Sequence, residues 1–203
     1  MTYQDEVKFV DMNQLSWSTA TSVSNLLGPF NVPAQGADFN QRIGRMIVVK
    51  NFQLSVEVAP NLFTIPDSTA ASGPQVLRFD VVLIKDTNGV SPTVTNLFDS
   101  TDPLSKINLN FRGYFKILAT KTFNLPAVKN ITASFLGTAS PNIQNWNLFL
   151  KKRIKSYFQG TTSGVGSSQK NAIFIVVRSS PQAWSVSDRA SFRYSARCRY
   201  IDA

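Results

Sequence analysis

The chain contains no histidine and a single cysteine, Cys198. The first absence removes the commonest general base and the commonest nitrogen ligand for a metal, and the second excludes an internal disulfide. Long apolar runs are missing too. The longest aliphatic and aromatic stretch covers residues 173–177, against the roughly 20 residues that a membrane-spanning helix needs. The first six residues place Asp5 and Glu6 where a secretory signal would carry Lys or Arg. Acids are in deficit, 12 Asp plus Glu against 21 Lys plus Arg, for a net charge of +9. That balance favours a polyanionic partner, nucleic acid or an anionic surface, without choosing between them. The expectation is a protein that is not an enzyme, carries no cofactor or metal and does not insert into a membrane.

What the chain does contain is strand signal. β-branched and aromatic runs alternate with Gly, Pro, Asn, Asp and Ser clusters, and little helix is expected. Residues 46–58 put Met46, Val48, Phe52, Leu54, Val56 and Val58 on one face, and the strand is expected to start buried on both faces because Ile47 and Val49 are apolar too. Residues 60–74, bounded by Pro60 and Pro74, read as a long loop. The next strand, 76–85, stops at Asp86-Thr87-Asn88-Gly89, a strong turn signal. A second loop runs to about residue 108, with one helical turn near 94–98. Shorter strands at 114–120 and 121–125 precede strands at 146–158, 172–179 and 190–201. Seven or eight strands with loops too long for simple hairpins predict an all-β fold, a single antiparallel jelly-roll sandwich over 1–203, with 1–40 a partly extended N-terminal segment. Phe52, Leu54, Phe79, Val81, Leu148, Leu150, Phe174, Val176, Phe192 and Tyr194 are its expected core.

Two segments carry a charge pattern. In the last strand Arg189, Ser191, Arg193, Ser195, Arg197 and Arg199 share one face, and Ala190, Phe192, Tyr194, Ala196, Cys198 and Tyr200 the other. Same-face residues repeat about every 6.6 to 6.8 Å, comparable with phosphates along an extended nucleic-acid strand, so the row suits contacts that hold phosphates without reading bases. The same alternation also describes a solvated face whose arginines pair with acids of a neighbouring strand or subunit. In 146–158, Phe149, Lys151, Arg153, Lys155 and Tyr157 alternate with Trp146, Leu148, Leu150, Ile154 and Phe158. Rings among cations suit unpaired bases, although Phe149 and Tyr157 also read as packing residues, and Trp146, Leu150, Ile154 and Phe158 also fit a helix. The candidate nucleic-acid-binding residues are therefore Arg189, Arg193, Arg197 and Arg199, with Lys151, Arg153 and Lys155 as a second group. Other features are weaker. The glycine-rich residues 160–170 lack the Gly-Lys-Ser/Thr order of a phosphate loop. Asp99 and Asp102 could share a calcium ion but read as turn formers, and Cys198 reads as a buried, inert thiol.

Several segments, in order, resemble the capsid proteins of circular, Rep-encoding single-stranded DNA viruses. Asn40-Gln-Arg-Ile-Gly-Arg-Met-Ile-Val-Val-Lys-Asn-Phe52 is similar to their first jelly-roll strand, preceded by Glu6-Val-Lys-Phe-Val-Asp11 and Pro33-Ala-Gln-Gly36. After it come Phe79-Asp-Val-Val-Leu-Ile-Lys-Asp-Thr-Asn-Gly89 with Ser91-Pro-Thr93, then Phe115-Lys-Ile-Leu118. Leu150-Lys-Lys-Arg-Ile-Lys-Ser-Tyr157, Asn171-Ala-Ile-Phe-Ile-Val-Val177 and Arg197-Cys-Arg-Tyr-Ile-Asp202 close the series. The resemblance implies a jelly roll that associates with copies of itself, into a shell expected to hold about 60 subunits, around a circular single-stranded genome. It also implies a location in the virion, with assembly in the host nucleus, and a first strand opened by Arg42, Ile43 and Gly44. The chain departs from the pattern in beginning with an acidic stretch where many such proteins carry an arginine-rich arm. About 540 net charges for 60 chains fall short of the about 609 phosphates of one strand encoding these 203 residues, so further cations are expected to contribute. The main rival is a single-stranded nucleic-acid-binding β-barrel outside any capsid. A sugar-binding jelly roll and a hydrolase using Asp80 and Asp86 are the others.

Overall fold

β-branched and aromatic side chains at every second position make strands that bury one face, and the ladders follow that period. The computed structural model describes residues 6–19, 24–59, 75–125, 143–180 and 190–203. Its strands are β1 Lys8–Thr19, β2 Ser24–Leu27, β3 Met46–Ala59, β4 Gln75–Asp86, β5 Phe115–Leu125, β6 Gln144–Leu150, β7 Ile154–Phe158, β8 Ser168–Ser179 and β9 Ser191–Asp202. One helical turn, α1 Val94–Leu97, follows β4. The fold is all-β. Among the described residues nine strands form an antiparallel sheet in the order β1-β9-β3-β7-β8-β4-β5, with β6 added on β3 and β2 on β8.

The sheet turns back on itself at β7, so that β3 and β9 face β4, β5 and β8 across one core. Phe52, Leu54 and Val56 of β3 and Phe192 and Tyr194 of β9 meet Leu77, Phe79 and Val81 of β4, Phe123 of β5 and Ile175 of β8. Phe79 makes edge contacts with both Phe123 and Phe192, ring centroids 5.6 Å apart in each case. The far face of β4 and β8 is covered as well. Val82, Ile84, Phe174 and Val176 pack under Val94, Leu97 and Phe98, because the segment after β4 folds back over the sheet. Of the expected core, Leu148 and Leu150 are only partly buried and the other eight are buried.

An ion pair closes the second layer. Arg178 of β8 donates to Asp80 of β4 at 2.6 Å, both side chains being fully buried. The guanidinium stacks on Phe98, 3.6 Å from its centroid, and donates to the Asp102 carbonyl and the Ser105 hydroxyl. Asp80 also accepts from Arg78 and Thr120. Burial pulls the Arg178 pKa down from the usual arginine value, and the hydrogen bond to Asp80 opposes it.

The structure corrects several expectations. Lys50 is an extra residue between the rungs Val49↔Tyr200 and Asn51↔Arg199. A bulge of this kind reverses which side chains face inward. Ile47 and Val49 therefore share the core with Phe52, and Val48 on the opposite face is buried as well, so the strand starts buried on both faces as expected, with only Met46 partly exposed. The strands expected at 114–120 and 121–125 are one, β5, with Leu118 as its extra residue. The strand expected at 146–158 is two, β6 and β7, interrupted at 151–153 and showing no helix. The N-terminal segment is more regular than expected, since β1 pairs along β9. Arg42, Ile43 and Gly44 do not open a strand. β3 begins at Met46, while Arg42 is buried over Phe158 and donates to the carbonyls of Gly44 and Gly160. The loop expected at 60–74 lies outside the described residues.

Candidate nucleic-acid interface

The outward face of β1, β9, β3 and β6 is assembled by register. Asn145 of β6, Glu57 of β3 and Arg193 of β9 form one rung, and Asn147, Ser55, Ser195 and Asn13 of β1 the next. Phe149, Gln53, Arg197 and Asp11 form the third, and Asn51, Arg199 and Phe9 the fourth. Neighbouring strands in such a ladder lie about 4.8 Å apart. The result is a broad polar platform with its arginines in one column.

That column is already engaged. Arg197 donates twice to Asp11, at 2.7 Å each, and lies over Phe9. Its hydrogen bonds to Asp11, and the charge of that carboxylate, hold the Arg197 pKa above the usual arginine value. Arg193 pairs with Glu57 and lies over Trp17, 5.0 Å from the ring centroid. Ser195 donates to Asn13 at 2.8 Å. Arg199 has no carboxylate within 4.0 Å among the described residues. Arg189 lies outside the described residues.

The second group is placed differently. Lys151 and Arg153 sit with Lys152 in the break between β6 and β7, and Lys155 lies on β7 opposite Val48. All four are exposed, and among the described residues none has a carboxylate within 4.0 Å. The break falls beside the Lys50 bulge of β3, since Leu150 pairs with Phe52 and Ile154 with Val49. Arg199 lies on the other side of β3 at the same level. Among the described residues Lys151, Lys152, Arg153, Lys155 and Arg199 thus form one group of cations without carboxylate partners around the place where both ladders are interrupted.

The remaining candidates have structural partners. Asp80 is held by Arg178 and Asp86 lies 3.9 Å from Lys170. Six residues apart on β4, the two carboxylates stand roughly 20 Å from each other. Asp102 Oδ1 accepts the Leu104 N–H, as a turn former does. Among the described residues no group of three acids or cysteines could hold a metal ion. Cys198 is fully buried, and that burial pushes its thiol pKa well up. Sequence reasoning missed the acids Asp11 and Glu57 as arginine partners and the buried cations Arg42 and Arg178. Comparison with protein-family models and with curated proteins returns no match.

Proposed function

We propose that this chain is the coat protein of a small virus with a single-stranded genome, a jelly roll that assembles into a closed shell and holds its nucleic acid through phosphates without sequence preference. The observation that carries this reading is nested pairing. β3 pairs with β9 and β4 with β8, so an inner pair is nested within an outer one, and this nesting supports the winding of a jelly roll. Further nesting would bring β5 beside the β6–β7 segment, and β5 and β6 do approach each other. The two strands touch where Gln144 donates to the Asn124 carbonyl at 2.9 Å, although β5 ladders with β4 and β6 with β3.

The basic balance and the free cations at the interrupted ladders supply the phosphate contacts. The protein would act as a building block and not as an enzyme, with copies of itself and a single-stranded DNA or RNA as partners. Purified protein examined by size-exclusion chromatography and electron microscopy, before and after nuclease treatment, is expected to be megadalton particles that protect nucleic acid. Protein that stays monomeric at high concentration and near-physiological salt while binding single strands would instead be a β-barrel module, the reading favoured by the continuous path of strands around the sheet.

A further inference from the structure

Among the described residues the outward face carries three aromatic side chains besides its arginines, and two of them are covered. Phe9 lies edge-on to Phe39, 5.2 Å between centroids, with the Arg197 guanidinium over it. Trp17 has Arg193 over its ring. Phe149 is different. It is 57% exposed on β6, directly across Gln53 from Arg197. Among the described residues neither a ring nor a cation stacks on it. A single exposed apolar side chain is ordinary, so its surroundings decide. Two residues on begins the break with Lys151, Lys152 and Arg153, the cations without carboxylate partners. Gln53 pairs with Phe149 across the ladder and Asn147 precedes it on the same face of β6, so the ring stands among polar residues.

We infer that Phe149 is a stacking platform for an unpaired base, and that Lys151 and Arg153 hold the phosphates of that nucleotide and its neighbour. Every base has a π-face, so stacking of this kind adds affinity without reading sequence. A duplex keeps its bases stacked on one another and offers the ring nothing, so the face selects single strands. Phosphate contacts alone would not make that distinction. The inference rests on the nucleic-acid-binding reading above and adds to it the residue that discriminates strandedness.

The test uses the full chain with three probes: a labelled oligothymidylate of about 20 nucleotides, a duplex of equal phosphate number, and inorganic polyphosphate of equal charge. Wild-type protein should prefer the oligothymidylate to both of the others. Phe149→Ala should weaken oligothymidylate binding at least about fivefold, the lower end of what one lost base stack produces. Its affinity for polyphosphate should stay within about twofold, and Phe149→Trp should restore binding to the oligonucleotide. Equal losses on both probes, or no loss on either, overturns the stacking role while leaving phosphate binding intact. Failure of the wild-type chain to bind any of the three at low salt overturns the nucleic-acid reading itself. If Phe149→Ala blocks particle formation but binds oligothymidylate normally, the ring belongs to a contact between copies of the chain and the inference is wrong.

Discussion

Replacing Asp80 by leucine removes the only carboxylate that faces the Arg178 guanidinium within 4.0 Å among the described residues. Arg178 remains fully buried. It keeps its contact with Phe98, the Asp102 carbonyl and the Ser105 hydroxyl, all neutral groups. An uncompensated buried charge of this kind typically costs about 3 to 5 kcal/mol. Arg78 is partly exposed and can turn to water, and Thr120 loses one hydrogen bond at the sheet edge, so these two partners add about 1 kcal/mol or less. Asp80→Leu should therefore lose about 3 to 5 kcal/mol, a large part of the stability of a domain of this size.

The reasoning makes a sharper claim about the double variant. Asp80→Leu with Arg178→Met removes both charges and fills their space, and buried pairs replaced in this way are often close to neutral. Allowing for the unsatisfied Asp102 carbonyl and Ser105 hydroxyl, the double variant should be more stable than Asp80→Leu alone, with a coupling energy of at least about 2 kcal/mol. Urea unfolding of dispersed subunits, followed by tryptophan fluorescence, measures Asp80→Leu, Arg178→Met and the double variant. Dispersal matters because assembly would add a concentration-dependent term. A loss below about 1 kcal/mol for Asp80→Leu, or strict additivity in the cycle, would refute the claim that this pair holds the segment after β4 against the sheet.

Two further outcomes follow from charge and burial. The Cys198 pKa is raised by burial, so folding favours the neutral thiol. Its contribution is intact below the ordinary thiol range, at about pH 8.5, and declines as pH rises above it while only the unfolded chain ionises. Cys198→Ala should flatten the fall in unfolding free energy between about pH 9 and 11, measured by urea titration at each pH, and an unchanged slope would count against it. For nucleic acid, replacing Lys151, Arg153 and Lys155 together by serine should flatten log affinity against log salt by about two units on a single strand. Arg193→Ser with Arg197→Ser should change the slope by less than one unit, because Glu57 and Asp11 already neutralise those charges. The reverse order would show that the ion pairs open for the ligand.

Strand positions were legible wherever the period of two was carried by strong β-formers, as in β3, β4, β8 and β9. β1 was harder to see because its two faces, Lys8, Val10, Met12 and Gln14 against Phe9, Asp11, Asn13 and Leu15, each mix apolar with polar residues. It is ordered by the ladder with β9 more than by its own pattern. The bulges were invisible for a different reason. One extra residue, Lys50 or Leu118, leaves the local composition unchanged while reversing which side chains point inward. The folding back of the segment after β4 could not be read either, since it rests on packing against β8 and on contacts of Arg178 with Phe98, Asp102 and Ser105, more than 70 positions away in the chain.

The arginine column shows most clearly what alternation can and cannot report. Period two places Arg193, Arg197 and Arg199 on one face, and the structure agrees. It says nothing of what stands beside them, because Asp11 reaches Arg197 only through a register set 186 residues away. Inside a regular ladder every charged side chain has neighbours about 5 Å distant on the adjoining strands, and an acid there captures it. At an interruption the adjoining position is missing. Arg199 and Lys155 stand on rungs whose neighbours carry no acid and are left over for that reason, and Lys151, Lys152 and Arg153 are left over in the break, where no rung sets a partner beside them.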